Sequence, residues 1–370
     1  MSNVTENRTV TVNEARSRVM RCFNAQRPVF LWGPPGVGKS DLVGQLTKDL
    51  GGHMIDLRLS QMEPTDLRGI PFYNKDLGKM DWAEPIDLPD AELASKYPII
   101  TLFLDEMNSA VPAVQAAAYQ LILNRRLGKY VLPNNVVIVA AGNRESDKGN
   151  AFRMPTPLAN RFVHLEVRVD FDSWVEWAVN NRVHKDVVGY IGFSKNDLMD
   201  FDPRSSSRSF ATPRSWSFVS EFLYDEDITE DELTDLISGT IGEGLGNKFK
   251  GHRKVAGQMP NPADILSGAV KELKCKEISA MYSLTISMCY ELKDALDRLT
   301  KENKVDDWNV MVDNFFEFMM SEFTTELVVL GARTALTTYK LPLQPGKLKS
   351  FAKFHQRFGK YILSASGSDK

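Results

Sequence analysis

A glycine-rich segment of eight residues carries the clearest chemistry in this sequence. It reads Gly33, Pro34, Pro35, Gly36, Val37, Gly38, Lys39 and Ser40, directly after the apolar run 28–32. This GxxxxGK[ST] pattern lets a tight backbone aim several N–H groups at phosphate oxygens, while Lys39 can reach the β and γ phosphates and Ser40 can ligate Mg²⁺. The positive end of a helix that begins near Gly38 adds attraction for the anion. The segment predicts nucleoside triphosphate binding, and we assign Asp41, next along the helix, to the same nucleotide-binding set.

A pair of carboxylates follows a second apolar run. Asp105 and Glu106 come directly after Leu102-Phe103-Leu104, a pattern typical of a buried strand that delivers acids to the edge of a sheet where a phosphate loop opens. Asp105 is suited to hold Mg²⁺ through water or Ser40, and Glu106 to polarise a water for in-line attack on the γ-phosphate. An apolar run ending in two acids is a weak signal alone, but it gains weight when it follows a phosphate loop.

Two further polar residues stand at ends of predicted strands. Asn143 follows the apolar run 136–141, and its amide could orient the attacking water because it both donates and accepts hydrogen bonds; a simple turn residue is the alternative. Arg161 leads into the last predicted strand, and we place it at a subunit boundary. A guanidinium supplied from outside can neutralise charge that develops in the transition state.

The first half of the chain alternates short β-rich runs with helical stretches, which indicates an α/β fold with a parallel sheet covered on both faces. The predicted strands are 28–32, 53–57, 99–104, 136–141 and 162–167, and the predicted helices between them are 39–50 and 109–124. Strand signals stop near residue 168, and helical patterns replace them. The glycine-rich passage 239–257, with Pro260 and Pro262, predicts a break in these helices.

Composition narrows the class of protein. The chain has 370 residues with 43% hydrophobic and 25% charged content, and no apolar stretch approaches the roughly 20 residues that a membrane span needs. The polar start predicts no secretory signal and a cytoplasmic location. Three cysteines far apart fit reduced thiols better than a disulfide framework or a zinc site. A net charge of −3 argues weakly against non-specific nucleic-acid binding.

The last segment, 347–363, combines an apolar face with basic residues elsewhere, and we expect this helix to dock on its own domain. Binding of its basic side to nucleic acid or another acidic surface is the alternative.

Together these segments resemble the AAA+ ATPases, and within them the MoxR-like group of the helix-2-insert clade, over roughly residues 10–270. The segments that carry the resemblance are GPPGVGKS, LFLDEMN, AAGNRES, PLANRFVHLEV and ATPRSW, the last at 211–216. The resemblance implies a P-loop NTPase with a three-layer αβα AAA+ core and an α-helical lid. It gives a nucleotide-binding domain at 1–168 with a helix-2 insert at about 61–90, a lid at 169–270, and a further helical C-terminal extension at 271–370.

The resemblance also assigns roles. Gly33 to Ser40 correspond to Walker A, Asp105 and Glu106 to Walker B, Asn143 to sensor one, Arg161 to the trans-acting finger, and Arg214 to sensor two, which would couple the lid to the γ-phosphate. ATP and Mg²⁺ are the implied cofactors, with Ser40 and Asp105 as the metal ligands. Arg144 departs from the family pattern, since many members have proline there.

The implied activity is ATP hydrolysis in a homo-oligomeric ring, a hexamer, that remodels, matures or activates a protein client in a chaperone-like way. A partner with a von Willebrand factor A domain is also implied. The insert, including Tyr73 and Trp82, and a hairpin at 125–133 would meet the client; by sequence the two aromatics lie in exposed loops or pack under the insert. A nucleic-acid motor or loader, a nucleotide-gated scaffold with little turnover, and a GTP-specific motor stay open.

Overall fold

In the computed structural model, which describes residues 8–147, 152 and 154–365, the chain divides into two units. The first contains the described residues up to Asp170 together with Asp202–Ser206, and the second contains Phe171–Phe201 and the described residues from Ser207 onward. The predicted boundaries of the lid and of the C-terminal extension remain predictions.

The first unit holds all the strands found in the described residues. They are β1 (Thr9–Val10), β2 (Val29–Trp32), β3 (His53–Arg58), β4 (Ile70–Asn74), β5 (Lys79–Ala83), β6 (Ile100–Asp105), β7 (Arg126–Leu127), β8 (Tyr130–Val131), β9 (Val136–Gly142) and β10 (Val163–Val167). Its helices are α1 (Val12–Asn24), α2 (Lys39–Asp49), α3 (Pro64–Arg68), α4 (Ala91–Lys96), α5 (Pro112–Asn124) and α6 (Thr156–Ala159).

Six of these strands form one parallel sheet in the order β1-β10-β2-β9-β6-β3. All five predicted strands are present. The strand before the phosphate loop, β2, lies beside β9, and β9 lies beside β6, so the carboxyl ends of these three strands share one edge. That edge is where a parallel sheet places its ligand site.

Alternate residues of the central strands supply the two apolar layers. Phe30, Leu102 and Ile138 pack on the face covered by α5, whereas Leu31 and Phe103 pack on the face covered by α1 and α2. The central strands β2, β6 and β9 are nearly continuous apolar runs, as parallel strands buried between two helical layers require. The predicted three-layer αβα arrangement is confirmed.

Two antiparallel hairpins extend from this core. The predicted insert contains α3 and the hairpin β4–β5, and the predicted hairpin at 125–133 is β7–β8. Tyr73 and Trp82 lie in strands of the first hairpin and not in loops, and they are 60% and 44% exposed. The loop reading was wrong because Asn74 organises a short turn: its Oδ1 accepts from the Asp76 and Leu77 N–H groups at 3.1 and 3.2 Å.

In the second unit, the regular secondary structure of the described residues is entirely helical. Its helices are α7 (Phe171–Asn180), α8 (Lys185–Phe193), α9 (Pro213–Leu223), α10 (Glu230–Ile241), α11 (Glu243–Ala256), α12 (Pro262–Leu266), α13 (Ile278–Lys301), α14 (Val305–Glu322), α15 (Thr325–Arg333) and α16 (Phe351–Ala365). The long α13 is central to the packing, with α8, α11, α12, α14 and α15 against it.

The predicted break at 239–257 is wrong, since α11 fills most of it. Gly242, with φ +93°, separates α10 from α11, but Gly244, Gly246 and Gly251 lie within α11. Leu245, Phe249 and His252 of α11 are buried. Tertiary packing of this face outweighs the low helix propensity of glycine.

The last helix docks on its own unit, as expected. Phe354 and Phe358 of α16 are buried, and the Phe354 ring centroid lies 4.6 Å from that of Phe316 in α14. Among the described residues, no helix combines the length and hydrophobicity needed to cross a bilayer.

Candidate nucleotide-binding site

The phosphate loop connects β2 to α2 and depends on glycine. Gly36 and Gly38 have φ of +74° and +95°, a region that side chains disfavour. A Cβ on Gly33 would lie 2.7 Å from the carbonyl oxygen of Val167 on β10. The glycines therefore allow both the turn and its close approach to the sheet.

The first turn of α2 presents backbone donors. Gly38 precedes the helix, and among the described residues no side-chain hydrogen bond caps this end. The first N–H groups of a helix lack intrahelical partners, and the helix dipole favours an anion there. Asp41 is in this first turn and is exposed.

The Lys39 ammonium links the loop to the end of β9. Its Nζ donates to the carbonyl oxygens of Gly33 and Pro34 at 2.8 and 3.1 Å, and lies 3.3 Å from Oδ1 of Asn143. Two residues that the sequence predicts for the site, 104 positions apart, are therefore in contact.

Oxygen donors suited to a divalent cation meet beside this loop. The Ser40 hydroxyl lies 3.5 Å from Oδ2 of Asp105, while Oδ1 of Asp105 accepts the Glu106 N–H at 2.8 Å. Burial, with the nearby charge of Asp105, raises the pKa of Asp56 on β3. A hydroxyl and a carboxylate are hard oxygen ligands of the kind that Mg²⁺ takes, so Ser40 and Asp105 fit that ion.

Glu106 is held in a constrained position. Its φ is +53°, in the left-handed region that is rare outside glycine, and its carboxylate accepts a hydrogen bond from the Ser60 hydroxyl. Ser60 follows β3, which is hydrogen-bonded to β6. Ser60 could not be predicted as part of the site, because nothing in its sequence spacing links it to Glu106.

Asn143 is fixed through its backbone by a second missed residue. Nδ2 of Asn108, a buried side chain after Glu106, donates to the Asn143 carbonyl oxygen at 2.7 Å. A Cβ on Gly142 would lie 2.1 Å from Oδ1 of Asn108, so glycine is required before Asn143. The motif LFLDEMN contains Asn108, but its spacing alone gives no role to that side chain.

Arg144, which departs from the family pattern, ties the segment after Asn143 to neighbouring elements. Its Nε lies 3.2 Å from Asp147, and its Nη1 lies 3.0 Å from Glu166 on β10. Arg144 is thus a structural contact beside the site.

The two remaining predicted residues, Arg161 and Arg214, are both exposed. Arg161 is exposed just before β10, and within the described part of the chain its side chain makes no hydrogen bond or ion pair. Arg214 lies in the second unit as the second residue of α9, and it is exposed. The structure brings together Lys39, Ser40, Asp105 and Asn143, with Glu106 next to Asp105.

The comparison with protein families finds a match within the first unit. Residues 28–162 match the AAA domain of the dynein-related subfamily. The match includes the phosphate loop, Asp105, Glu106, Asn143 and Arg161, but ends before Arg214. This region has the AAA+ P-loop NTPase fold, a nucleotide-binding fold.

Curated proteins and solved structures are also similar to this chain. Midasin of Giardia intestinalis is 27% identical over 184 residues, which are 47% of this chain and only 4% of midasin. A putative ATPase of Cytophaga hutchinsonii is 14% identical over 96% of this chain and 90% of its own, with a TM-score of 0.35. RuvB of Thermotoga maritima, a Holliday junction branch migration motor, is 17% identical over 67% of this chain and 74% of its own, also with a TM-score of 0.35. Likenesses this weak do not bear on what the chain does.

Proposed function

We propose that this chain is a Mg²⁺-dependent ATPase of the MoxR type that works as a ring and remodels, matures or activates a protein client. The observation that carries the proposal is the convergence of Lys39, Asn143, Ser40 and Asp105 at one sheet edge, with Glu106 directly after Asp105. These are the parts that phosphoryl transfer to water needs.

Each residue has a task that follows from its position. The loop N–H groups and Lys39 bind the phosphates, and Ser40 and Asp105 would hold Mg²⁺, which when bound neutralises charge on the phosphates. Glu106 orients the attacking water and takes its proton. The Asn143 amide helps to orient the same water by hydrogen bonding, without taking up a proton. The hydrogen bond from Asn108 keeps Asn143 in place.

A second copy would complete the site. The exposed Arg161 side chain, with no polar partner among the described residues, is available to a neighbouring molecule. A trans-acting arginine makes turnover depend on assembly, which supports a ring; the hexameric number and the sensor-two role of Arg214 rest on the resemblance to MoxR-like ATPases.

A protein client is supported by the exposed apolar hairpin β4–β5. Its residues Ile70, Tyr73 and Met80 are 64%, 60% and 63% exposed. Apolar surface concentrated in this way marks a contact site for a protein. The von Willebrand factor A partner and the cytoplasmic location rest on the resemblance and the sequence composition.

A nucleic-acid motor is the second candidate, favoured by one observation. The basic residues Lys353 and Arg357 of α16 are exposed while Phe354 and Phe358 dock. Binding through this face would weaken steeply as salt rises. A scaffold with little turnover is disfavoured, because Glu106 and Asn143 are both present.

Replacing Glu106 by Gln tests hydrolysis separately from binding. Glu106→Gln should bind ATP as the parent does, whereas steady-state phosphate release should fall at least about a hundredfold, because the general base is lost. Glu92→Gln, an exposed glutamate paired with Lys96 on α4, is the matched control and should hydrolyse normally. Normal turnover by Glu106→Gln would refute the catalytic assignment, and running both assays with GTP decides the nucleotide.

The client is sought with the same variant. ATP-loaded Glu106→Gln should retain its partners from native lysate, identified by mass spectrometry and by nuclease-sensitive nucleic-acid quantification. A von Willebrand A protein would support the chaperone-like role. Salt-labile nucleic acid without such a protein would instead favour the motor.

A further inference from the structure

We propose that His164 is a positioning residue for Arg161, joining the segment that carries this arginine to the strand that leads into the phosphate loop of the same chain. The inference rests on the proposed role of Arg161 as the arginine supplied to a neighbouring copy. Trp32 and His164 thereby gain a function in the site, although neither belongs to the phosphate loop 33–40 or to the Asp105–Glu106 pair.

The imidazole of His164 bridges two elements. Nδ1 of His164 on β10 accepts a hydrogen bond from Nε1 of Trp32 at 2.9 Å, and its Nε2 lies 2.8 Å from the carbonyl oxygen of Ala159 at the end of α6. Trp32 is the last residue of β2 and directly precedes Gly33. One side chain therefore connects the start of the phosphate loop to the helix that precedes Arg161.

The partners fix the tautomer of this imidazole. The indole N–H of Trp32 can only donate and the Ala159 carbonyl can only accept, so Nδ1 is unprotonated and Nε2 carries the hydrogen. A neutral imidazole with the proton on Nε2 satisfies both contacts at once.

The backbone on both sides of Arg161 is anchored by this arrangement. The Ala159 carbonyl oxygen also accepts the Phe162 N–H at 3.2 Å, and the Arg161 N–H donates to the Leu158 carbonyl oxygen at 3.0 Å. Phe162 is buried, with its ring edge-on to Phe30 at a centroid distance of 5.4 Å. The backbone at Arg161 is therefore held in place while the residue remains exposed, as a group offered to a neighbouring copy requires.

Ring packing alone does not require a histidine here. Trp32 stacks on Phe30 at a centroid distance of 4.1 Å and lies nearly parallel to His164 at 6.1 Å, and a phenylalanine could keep these ring contacts. The histidine adds the two directed hydrogen bonds. His164→Phe therefore removes the proposed link and preserves the packing.

The experiment mixes copies that lack different halves of a shared site. Glu106→Gln copies can supply Arg161 but cannot hydrolyse ATP. Arg161→Ala copies keep Glu106 but have no arginine to supply. The proposed shared site therefore predicts that a mixture of the two regains turnover. Adding His164→Phe to the Glu106→Gln copy, the arginine donor, should reduce the regained phosphate release about tenfold, because misplacement of a catalytic group by even 1 Å is costly. Adding it to the Arg161→Ala copy should leave the release close to that of the parent mixture.

This asymmetry separates positioning from a structural effect. Equal losses on the two sides, or no loss on the donor side, would overturn the proposal. His164→Gln on the donor side should recover part of the turnover, because its amide can still donate to the Ala159 carbonyl. His53→Phe is the matched control: His53 stacks on Tyr97 at a centroid distance of 5.0 Å on β3, and its replacement on the donor side should not reduce the rescue.

The mixing experiment can refute the shared site and the role of His164 separately. No turnover in the parent mixture, under conditions where copies exchange, would refute the shared site and with it the role of His164. Regained turnover in the parent mixture that His164→Phe leaves unchanged would refute the role of His164 alone.

Discussion

At the scale of single residues, the carboxylate assigned as general base is held by a neighbour that no motif includes. The Ser60 hydroxyl donates to Glu106, whose backbone adopts φ +53°. Left-handed conformations of non-glycine residues cost energy and cluster at functional sites. The hydrogen bond holds the Glu106 carboxylate toward Ser60, so we infer that Ser60 restrains this side chain.

Removing this restraint should raise basal turnover. We expect Ser60→Ala to increase steady-state phosphate release on the order of threefold, because the carboxylate becomes free to contact water. Ser95→Ala on α4, where the hydroxyl donates to the Glu92 carbonyl, is the matched control and should not change the rate. A lower rate for Ser60→Ala would mean that Ser60 orients Glu106 productively and does not restrain it.

At the scale of elements, glycines explain where prediction from sequence succeeded and failed. The turn of the phosphate loop was predictable because its glycines occur in a motif of fixed spacing. The glycines of 239–257 predicted a break, but α11 forms because Leu245 and Phe249 are buried by other helices. Within α11, Gly246 lies against α10, where an added Cβ would be 3.0 Å from the Ser238 hydroxyl, whereas Gly251 faces open space.

These two glycines give a matched pair of substitutions. Gly251→Ala should stabilise the protein by about 0.5 to 1 kcal/mol, because alanine is the better helix former and meets no neighbour. Gly246→Ala should lose that gain and destabilise the protein by about 1 kcal/mol through overpacking. Urea unfolding midpoints of the two variants measure the difference. No stabilisation by Gly251→Ala would contradict a helix at this position.

At the scale of the whole molecule, the edge of the sheet that carries the site was easier to predict from sequence than the side-chain contacts made there. The strands that lead to the phosphate loop, to Asp105 and to Asn143 could be assigned because each is a buried apolar run that ends at a recognisable motif. The hydrogen bonds of Ser60, Asn108 and Trp32 could not be predicted. Each joins residues that are far apart in sequence: 46, 35 and 132 positions, respectively. Periodicity reports which face of an element is buried, not which side chain it meets.

We propose that turnover requires a second copy of the chain, which supplies Arg161. The decisive measurement is the rate of phosphate release per chain, with saturating ATP and Mg²⁺, as the concentration of the protein is raised, with Glu106→Gln as background. We predict that the rate per chain rises with concentration to a plateau and that Arg161→Ala stays near the background throughout. A rate per chain that is constant at all concentrations and is unchanged by Arg161→Ala would contradict a site shared between copies.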